Sequence, residues 1–288
     1  MNTIIKKFIF YCYLLTFIAT LQADASLTII GSGGCLPMPH RRHPGNLLEV
    51  NNQRFLIDSG PGTVHSLSFF NLKLDQLQGA FYTHFHLDHI GDLANIITWF
   101  QVIPWTAEKE GVTYIAPTFT IYGPVGIKRY IQDILPLTPD RSLPNNIFIT
   151  EVNSGDKLKF EHFTAEVSKV PHTQESVGYR FTLNNGKVVA ITGDTGFGPE
   201  VTRLIKNADI AVLECTYSDE LYEKMKAFVH HLGPTSAAQL AVAGTIKTLI
   251  LTHLYPSADA VDSAAIASKT FTTGTVLTAQ DGMTISLD

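Results

Sequence analysis

Apolar residues in this chain fall mostly into short runs separated by Gly, Pro and Asn. Ser26–Gly31, Leu47–Val50, Arg54–Asp58 and Gly79–Tyr82 predict four strands in the first third. A helix is expected over Gly91–Phe100, a strand over Thr120–Gly123, and a helix over Pro124–Leu135 opened by proline in its first turn. Ile147–Val152, Leu158–Phe160, Phe163–Val170, Val177–Leu183 and Lys187–Thr192 then predict strands, with Asn184-Asn185-Gly186 turning the last two into a hairpin. A helix over Pro199–Lys206, a strand over Ile210–Glu214, a helix over Pro234–Ala243 and a strand over Thr248–Thr252 follow. Strands dominate early and interleave with helices late, which predicts an α/β sandwich of two sheets with helices outside. No internal repeat is strong enough to read.

Length changes this picture little: 288 residues, 45% of them apolar, suffice for one large core. The first residues differ in character. Lys6 and Lys7 precede an apolar run, Phe8–Leu21, and then Gln22-Ala23-Asp24-Ala25 with its A-x-A exit. The run is short for a membrane span of about 20 residues, and the order predicts a signal peptide over 1–25, an exported (periplasmic or secreted) protein, and a single domain over 26–288. Losing Lys6, Lys7 and Asp24 from 21 basic and 26 acidic residues leaves an acidic mature chain. It has no Lys/Arg run to track a phosphate backbone, so long nucleic acid is not the expected partner. Cys35 and Cys215 remain after the leader, and whether they pair is open. Gly31-Ser32-Gly33-Gly34 is not a dinucleotide fingerprint, because Leu36 stands where the third glycine belongs and Pro37 and Pro39 interrupt the receiving helix. A tight turn at a site rim is expected there instead.

The chemistry concentrates in Thr83–Asp92, THFHLDHIGD, directly after an apolar strand. His84 and His86 alternate along an extended segment and point one way, Asp88 continues the alternation, and His89 leads into the helix. Imidazole and carboxylate are the ligand set of zinc and its first-row neighbours. His172, Asp194 and His253 each stand where a later apolar strand stops. Together these residues suffice for two cations sharing one carboxylate.

The assembly H-x-H-x-D-H followed by single His, Asp and His residues resembles the metallo-β-lactamase fold superfamily over nearly all of Ser26–Asp288. The resemblance implies a four-layer αβ/βα sandwich and two divalent ions, zinc foremost, with manganese or iron as alternatives. His84, His86 and His172 would hold one ion, Asp88, His89 and His253 the other, with Asp194 bridging. Asp58 would orient a ligating imidazole. Leu213-Glu214-Cys215-Thr216-Tyr217 and His231-Leu232-Gly233-Pro234-Thr235-Ser236-Ala237-Ala238 resemble segments of the ribonuclease Z-like phosphodiesterases. By that resemblance His231, steadied by Glu214, protonates the group expelled after a metal-bound hydroxide attacks phosphorus. Asp88 is counted with them as catalytic, and His230 is the alternative donor.

Family members that mature transfer RNA carry a long arm between the third histidine ligand and the bridging aspartate. Here only residues 173–193 lie between, filled by one hairpin. With the acidic balance this gives the expectation of a small-molecule phosphodiester substrate, with sulfatase, lactonase or β-lactamase activity as rivals and a non-catalytic metal-binding protein as the other class. Leu87 fits the signature of the cyclic-nucleotide phosphodiesterases and Asp92 breaks it. The aromatic stretch Trp99–Phe119 is either a lid or a loop folded back on the core. Arg41 and Arg42, beside His40 and His43, either meet a phosphate or sulfate or belong to a solvated loop.

Overall fold

Side chains alternate across a strand, and the central strands of each sheet are buried on both faces, which is why they read as nearly continuous apolar runs, while the edge strands are partly exposed. The computed structural model describes residues 24–288 apart from residue 139, so the signal peptide expected over 1–25 lies outside the described residues up to residue 23, and its last expected residue, Ala25, begins the first strand. Strands β1 (Ala25–Gly31), β2 (Gly45–Val50), β3 (Gln53–Ser59), β4 (Gly79–Phe81), β5 (Phe119–Pro124) and β6 (Ile147–Val152) belong to one sheet. Strands β7 (Lys157–Lys159), β8 (Phe163–Lys169), β9 (Val177–Leu183), β10 (Val188–Ile191), β11 (Ile210–Glu214), β12 (Thr248–Thr252) and β13 (Thr275–Thr278) form the other, and β14 (Met283–Ser286) returns to the first.

The two halves share one topology. Going from β1 to β6 the pairings are antiparallel twice and then parallel three times, and from β8 to β13 they are the same. β7 adds to β8 and β14 to β1, both antiparallel, so each half sends its last strand to the opposite sheet. This internal repeat is carried by backbone pairing, and the sequence gives no matching period.

Leu27, Ile29, Leu48, Phe55, Ile57 and Phe81 of the first sheet meet Val167, Tyr179, Phe181, Val189, Ile191, Val212 and Ile250 of the second in the central core. Their strand neighbours Ile30, Leu47, Leu56 and Ala80 face outward onto helices α1 (Thr63–Leu67), α3 (Leu93–Lys109) and α4 (Ile127–Ile134). Likewise Val188, Ala190, Ala211, Leu213, Leu249 and Leu251 face α5 (Pro199–Ile205), α7 (Pro234–Gly244) and α9 (Ser263–Ser268). The result is the expected four-layer αβ/βα sandwich. Short helices α2 (Leu87–Ile90), α6 (Asp219–Met225) and α8 (Pro256–Asp259) lie in the loops beyond strand ends. Among the described residues no helix is long and apolar enough to cross a membrane.

Some local expectations change. Pro124 does not open a helix: it closes β5, opposite Val152, and α4 begins after Gly126, whose φ of 110° only glycine adopts easily. The helix expected over Gly91–Phe100 begins at Leu93, separated from α2 by Gly91-Asp92, and continues through Pro104 to Lys109. Asp92 accepts from the backbone N–H of Val64 (2.8 Å) and from Asn95 Nδ2 (2.9 Å), so it ties α1 to α3.

Candidate metal centre

Parallel strands end at the same edge of both sheets, and the carboxyl ends of such strands are where α/β proteins place their chemistry. β3 ends at Asp58 and Ser59, β4 runs into Thr83–His89, β10 into Asp194, β11 into Glu214 and β12 into His253. Antiparallel β8 leads to His172. Asp58 and His253 both adopt left-handed backbone, φ 61° and 57°, a costly conformation for residues with a side chain that persists when the surroundings enforce it. Gly193, φ 61°, needs to be glycine for a second reason: a Cβ there would fall 2.6 Å from Thr83 Oγ1.

Asp194 divides the donors between its two oxygens. Oδ2 lies 3.8 Å from His84 Nε2 and 3.6 Å from His172 Nε2, while Oδ1 lies 3.0 Å from His89 Nε2 and 3.2 Å from His253 Nε2. His86 Nδ1 sits 3.1 Å from His172 Nε2 on the first side, and Asp88 Oδ2 sits 3.2 Å from His253 Nε2 on the second. One donor atom from each of His84, His86, His172 and Asp194 falls within 4.8 Å of the others, and so do donors from Asp88, His89 and His253.

Hydrogen bonds behind the cluster fix which nitrogen carries each proton. Thr83 Oγ1 donates to Asp58 Oδ2 (2.9 Å), so it accepts from His84 Nδ1 (2.9 Å). His89 Nδ1 donates to Asp58 (2.8 Å) and His172 Nδ1 to the His230 carbonyl (3.0 Å). Thr216 Oγ1 donates to Glu214 Oε2 (2.5 Å), so it accepts from His253 Nδ1 (2.9 Å). Four imidazoles therefore turn Nε2 lone pairs toward one place, the tautomer a metal requires. His84 Nε2, His89 Nε2 and Asp194 Oδ1 are buried without a hydrogen-bond partner, a costly state for a polar atom that a cation relieves.

Electrostatics agree with that fit. Burial, followed by the neighbouring His89 imidazole, holds His84 well below the ordinary imidazole range, and burial lowers His172 as well, so both are neutral donors. Burial opposes charge on Asp194, Asp88 and His89, but their neighbours outweigh it. His253, His89 and His84 hold Asp194 well below the usual carboxylate range, His253 and His89 lower Asp88, and Asp194 with Asp58 holds His89 well above its ordinary value. Of the five candidate imidazoles, His84 and His172 are neutral, while Asp194 and Asp58 favour positive charge at His89, where a divalent ion would supply it in place of a proton.

Glu214 is fully buried and accepts from His231 Nδ1 (2.9 and 3.1 Å), Thr195 N (2.6 Å), Leu232 N (3.1 Å) and Thr216. His231 is thus the neighbour held by the carboxylate, whereas His230 is exposed and offers its carbonyl to His172. Burial opposes protonation of His231, but Glu214 carries its pKa up to about 9. The arrangement keeps Nδ1–H on Glu214 and leaves Nε2 to deliver or take a proton.

A cavity of about 520 Å³ opens over the cluster, lined by Cys35, His43, Pro61, His86, Leu87, Asp88, Asp194, His231 and Tyr255. A larger cleft of about 610 Å³, lined among others by Phe85, Asn153, Lys169 and Ser176, contains none of the candidate donors. None of the aromatics of Trp99–Phe119 lines the metal cavity; up to Lys109 they belong to α3, and Tyr114 reaches Asp75. Arg41 does not wait for an anion: its Nε donates to Asp259 (2.7 Å) and Nη1 to Ser32 Oγ and the Ala279 carbonyl. Arg42 faces Asp281 and lies over the Phe69 ring. Cys35 and Cys215 are both free thiols, one exposed and one buried. Sequence reasoning missed Thr83, Thr216 and Tyr255. The threonines leave no distinctive signal, since threonine commonly ends strands, while Tyr255, two residues past His253, was open to notice.

Residues 53–254 match the family model described as beta-lactamase superfamily domain. The chain is 27% identical over 280 residues to ribonuclease Z of Listeria monocytogenes serotype 4a (strain HCC23), a match that covers 79% of this chain and 88% of that protein. Its fold is similar to that of the metallo-beta-lactamase fold protein YhfI from Bacillus subtilis (TM-score 0.76, 21% identity, 91% of this chain and 99% of that one). It is likewise similar to human tRNase Z, short form (TM-score 0.70, 24% identity, 91% and 99%). Relatives named for ribonuclease action overturn the expectation of a small-molecule substrate and of nucleic acid as an improbable partner. The physical fault in that expectation is that net charge averages the whole surface, whereas RNA contacts only the surface around the site.

Proposed function

This chain belongs to the beta-lactamase superfamily and is a metal-dependent hydrolase; from that footing we propose that it is a two-zinc phosphodiesterase that cuts phosphodiester bonds of RNA. The observation that carries the reading is the His231–Glu214 pair standing beside a donor cluster whose central carboxylate, Asp194, faces histidines from both of its oxygens. A β-lactamase, lactonase or sulfatase needs the same cluster and can also draw on a proton donor, so the pair marks a hydrolase that expels a poor leaving group, and the choice of phosphorus rests on the relatives. The ribonuclease Z relatives support RNA as the source of the phosphodiester.

Held between His84, His86, His172 and Asp194 on one side and Asp88, His89, His253 and Asp194 on the other, two divalent ions would supply Lewis-acid charge and a nucleophile at neutral pH. The chain's own residues do the rest. Asp58, Thr83 and Thr216 hold the imidazoles in one tautomer and orientation. Glu214 keeps Nδ1 of His231 protonated, so that Nε2 delivers its proton to the departing oxygen as the phosphorus–oxygen bond breaks; the products are a phosphomonoester and an alcohol, and water restores the proton. Turnover of an RNA oligonucleotide and of bis(p-nitrophenyl) phosphate by the zinc-loaded protein tests the reading, and hydrolysis of a lactone or cephalosporin alone would sink it. The charged, apolar, A-x-A order of residues 1–25 supports export; cell fractionation with N-terminal sequencing of the mature chain tests that part.

A further inference from the structure

We infer that Leu87, Pro61 and Tyr255 form a slot for a planar nucleobase attached to the phosphodiester at the metal centre, an inference that rests on the RNA phosphodiesterase reading. The cavity over the cluster has two kinds of wall. His86, Asp88, Asp194 and His231 form the wall of the donor cluster, where a phosphate would lie, and the remaining lining is Cys35, His43, Pro61, Leu87 and Tyr255. Leu87 is 68% exposed although it sits between two candidate ligands. An apolar side chain left in water at the reacting centre gains when a ligand covers it.

Tyr255 is held in place. Its ring lies near-parallel to His253 at 5.8 Å and edge-on to Tyr217 at 5.7 Å. Gly34 presses on it so closely that a Cβ there would fall 2.4 Å from the ring and 2.7 Å from His253. That contact explains why the Gly31-Ser32-Gly33-Gly34 run ends in glycine. A ring fixed before binding loses little freedom on binding. Polar groups stand among these apolar walls: Cys35 Sγ is 2.7 Å from the Tyr255 hydroxyl, and His43 Nδ1 bonds the Gly34 carbonyl, which leaves Nε2 without a hydrogen bond among the described residues. Among the described residues no lysine or arginine lines the cavity, which speaks against a second phosphate in the slot. Apolar faces with a hydrogen-bonding edge are the chemistry of a nucleobase.

Calorimetric titration of the zinc-loaded full chain with adenosine monophosphate, ribose 5-phosphate and hexyl phosphate tests the slot without requiring turnover. Stacking of one base predicts that adenosine monophosphate binds about ten-fold or more tighter than ribose 5-phosphate. Leu87→Ala and Tyr255→Ala should each shrink that preference, and Tyr255→Phe should keep most of it. Equal affinity for the nucleotide and the sugar phosphate, or hexyl phosphate binding as tightly as the nucleotide, would overturn the slot. A preserved preference in a protein that hydrolyses no phosphodiester would support the slot and sink the activity instead.

Discussion

Thr83 and Thr216 play the same part in the two halves of the molecule. Each stands two residues past the end of the strand that holds the corresponding place in its sheet, β4 and β11. The hydroxyl of each donates to a buried carboxylate, Asp58 or Glu214, and accepts the Nδ1 proton of a candidate ligand, His84 or His253. One hydroxyl has one proton, so this donation dictates the tautomer of the ring behind it.

Removing that hydroxyl should therefore loosen metal without unfolding the chain. Thr216→Val is expected to weaken zinc binding by roughly 10–100-fold, the usual effect of losing a partner behind a ligand, and Thr216→Ser to restore most of it. Competition with a chromophoric chelator measures both. Unchanged affinity in Thr216→Val would show that His253 needs no orientation.

Metal content is the next expectation. Reconstituted protein should hold two ions per chain by elemental analysis, and Asp194→Ala, which removes the carboxylate facing both donor groups, should cost most of both. Chelation should lower Tm, because an ion bound only by the folded chain stabilises it by mass action. One ion per chain with Asp194→Ala without effect would contradict the bridging role.

Gly193→Ala should destabilise the fold by roughly 1–3 kcal/mol, since it forces a side chain into left-handed backbone and against Thr83. A Tm within error of the parent would show that the β10 turn can move aside.

Glu214 raises the His231 pKa against the effect of burial. The imidazole therefore stays protonated above the ordinary range and loses its proton as pH rises through the raised value, so rates with poor leaving groups should fall on that alkaline side. In Glu214→Gln the fall should begin at lower pH. An unmoved pH profile would separate His231 from the chemistry.

Much of the candidate cluster was legible because potential donors at strand ends follow apolar runs: His84, His86, His172, Asp194 and His253 each stand beyond such a run, and the structure brings their donor atoms together. The hydroxyl relays were not legible, since Thr83 and Thr216 meet their partners only in space. Pro124 was misread because a proline before a polar, periodic segment suits both a helix start and a strand end, and only pairing with Val152 decides. The repeat of the two sheets lies in hydrogen-bond order and leaves no period in the residues. The aromatics after Trp99 suit by composition either a lid or a loop folded back on the core, and those up to Lys109 instead follow the helical continuation of α3.

The central claim is that His231, steadied by Glu214, protonates the oxygen that leaves phosphorus. The dependence of turnover on leaving-group acidity, measured for a series of phosphodiesters with the zinc-loaded parent and His231→Ala, tests it most directly. The account predicts that His231→Ala keeps its zinc, loses about 10²–10⁴-fold with a sugar alkoxide leaving group and far less with nitrophenolate, and so shows the steeper dependence. Parallel dependences in the two proteins, or loss of zinc in His231→Ala, would contradict it.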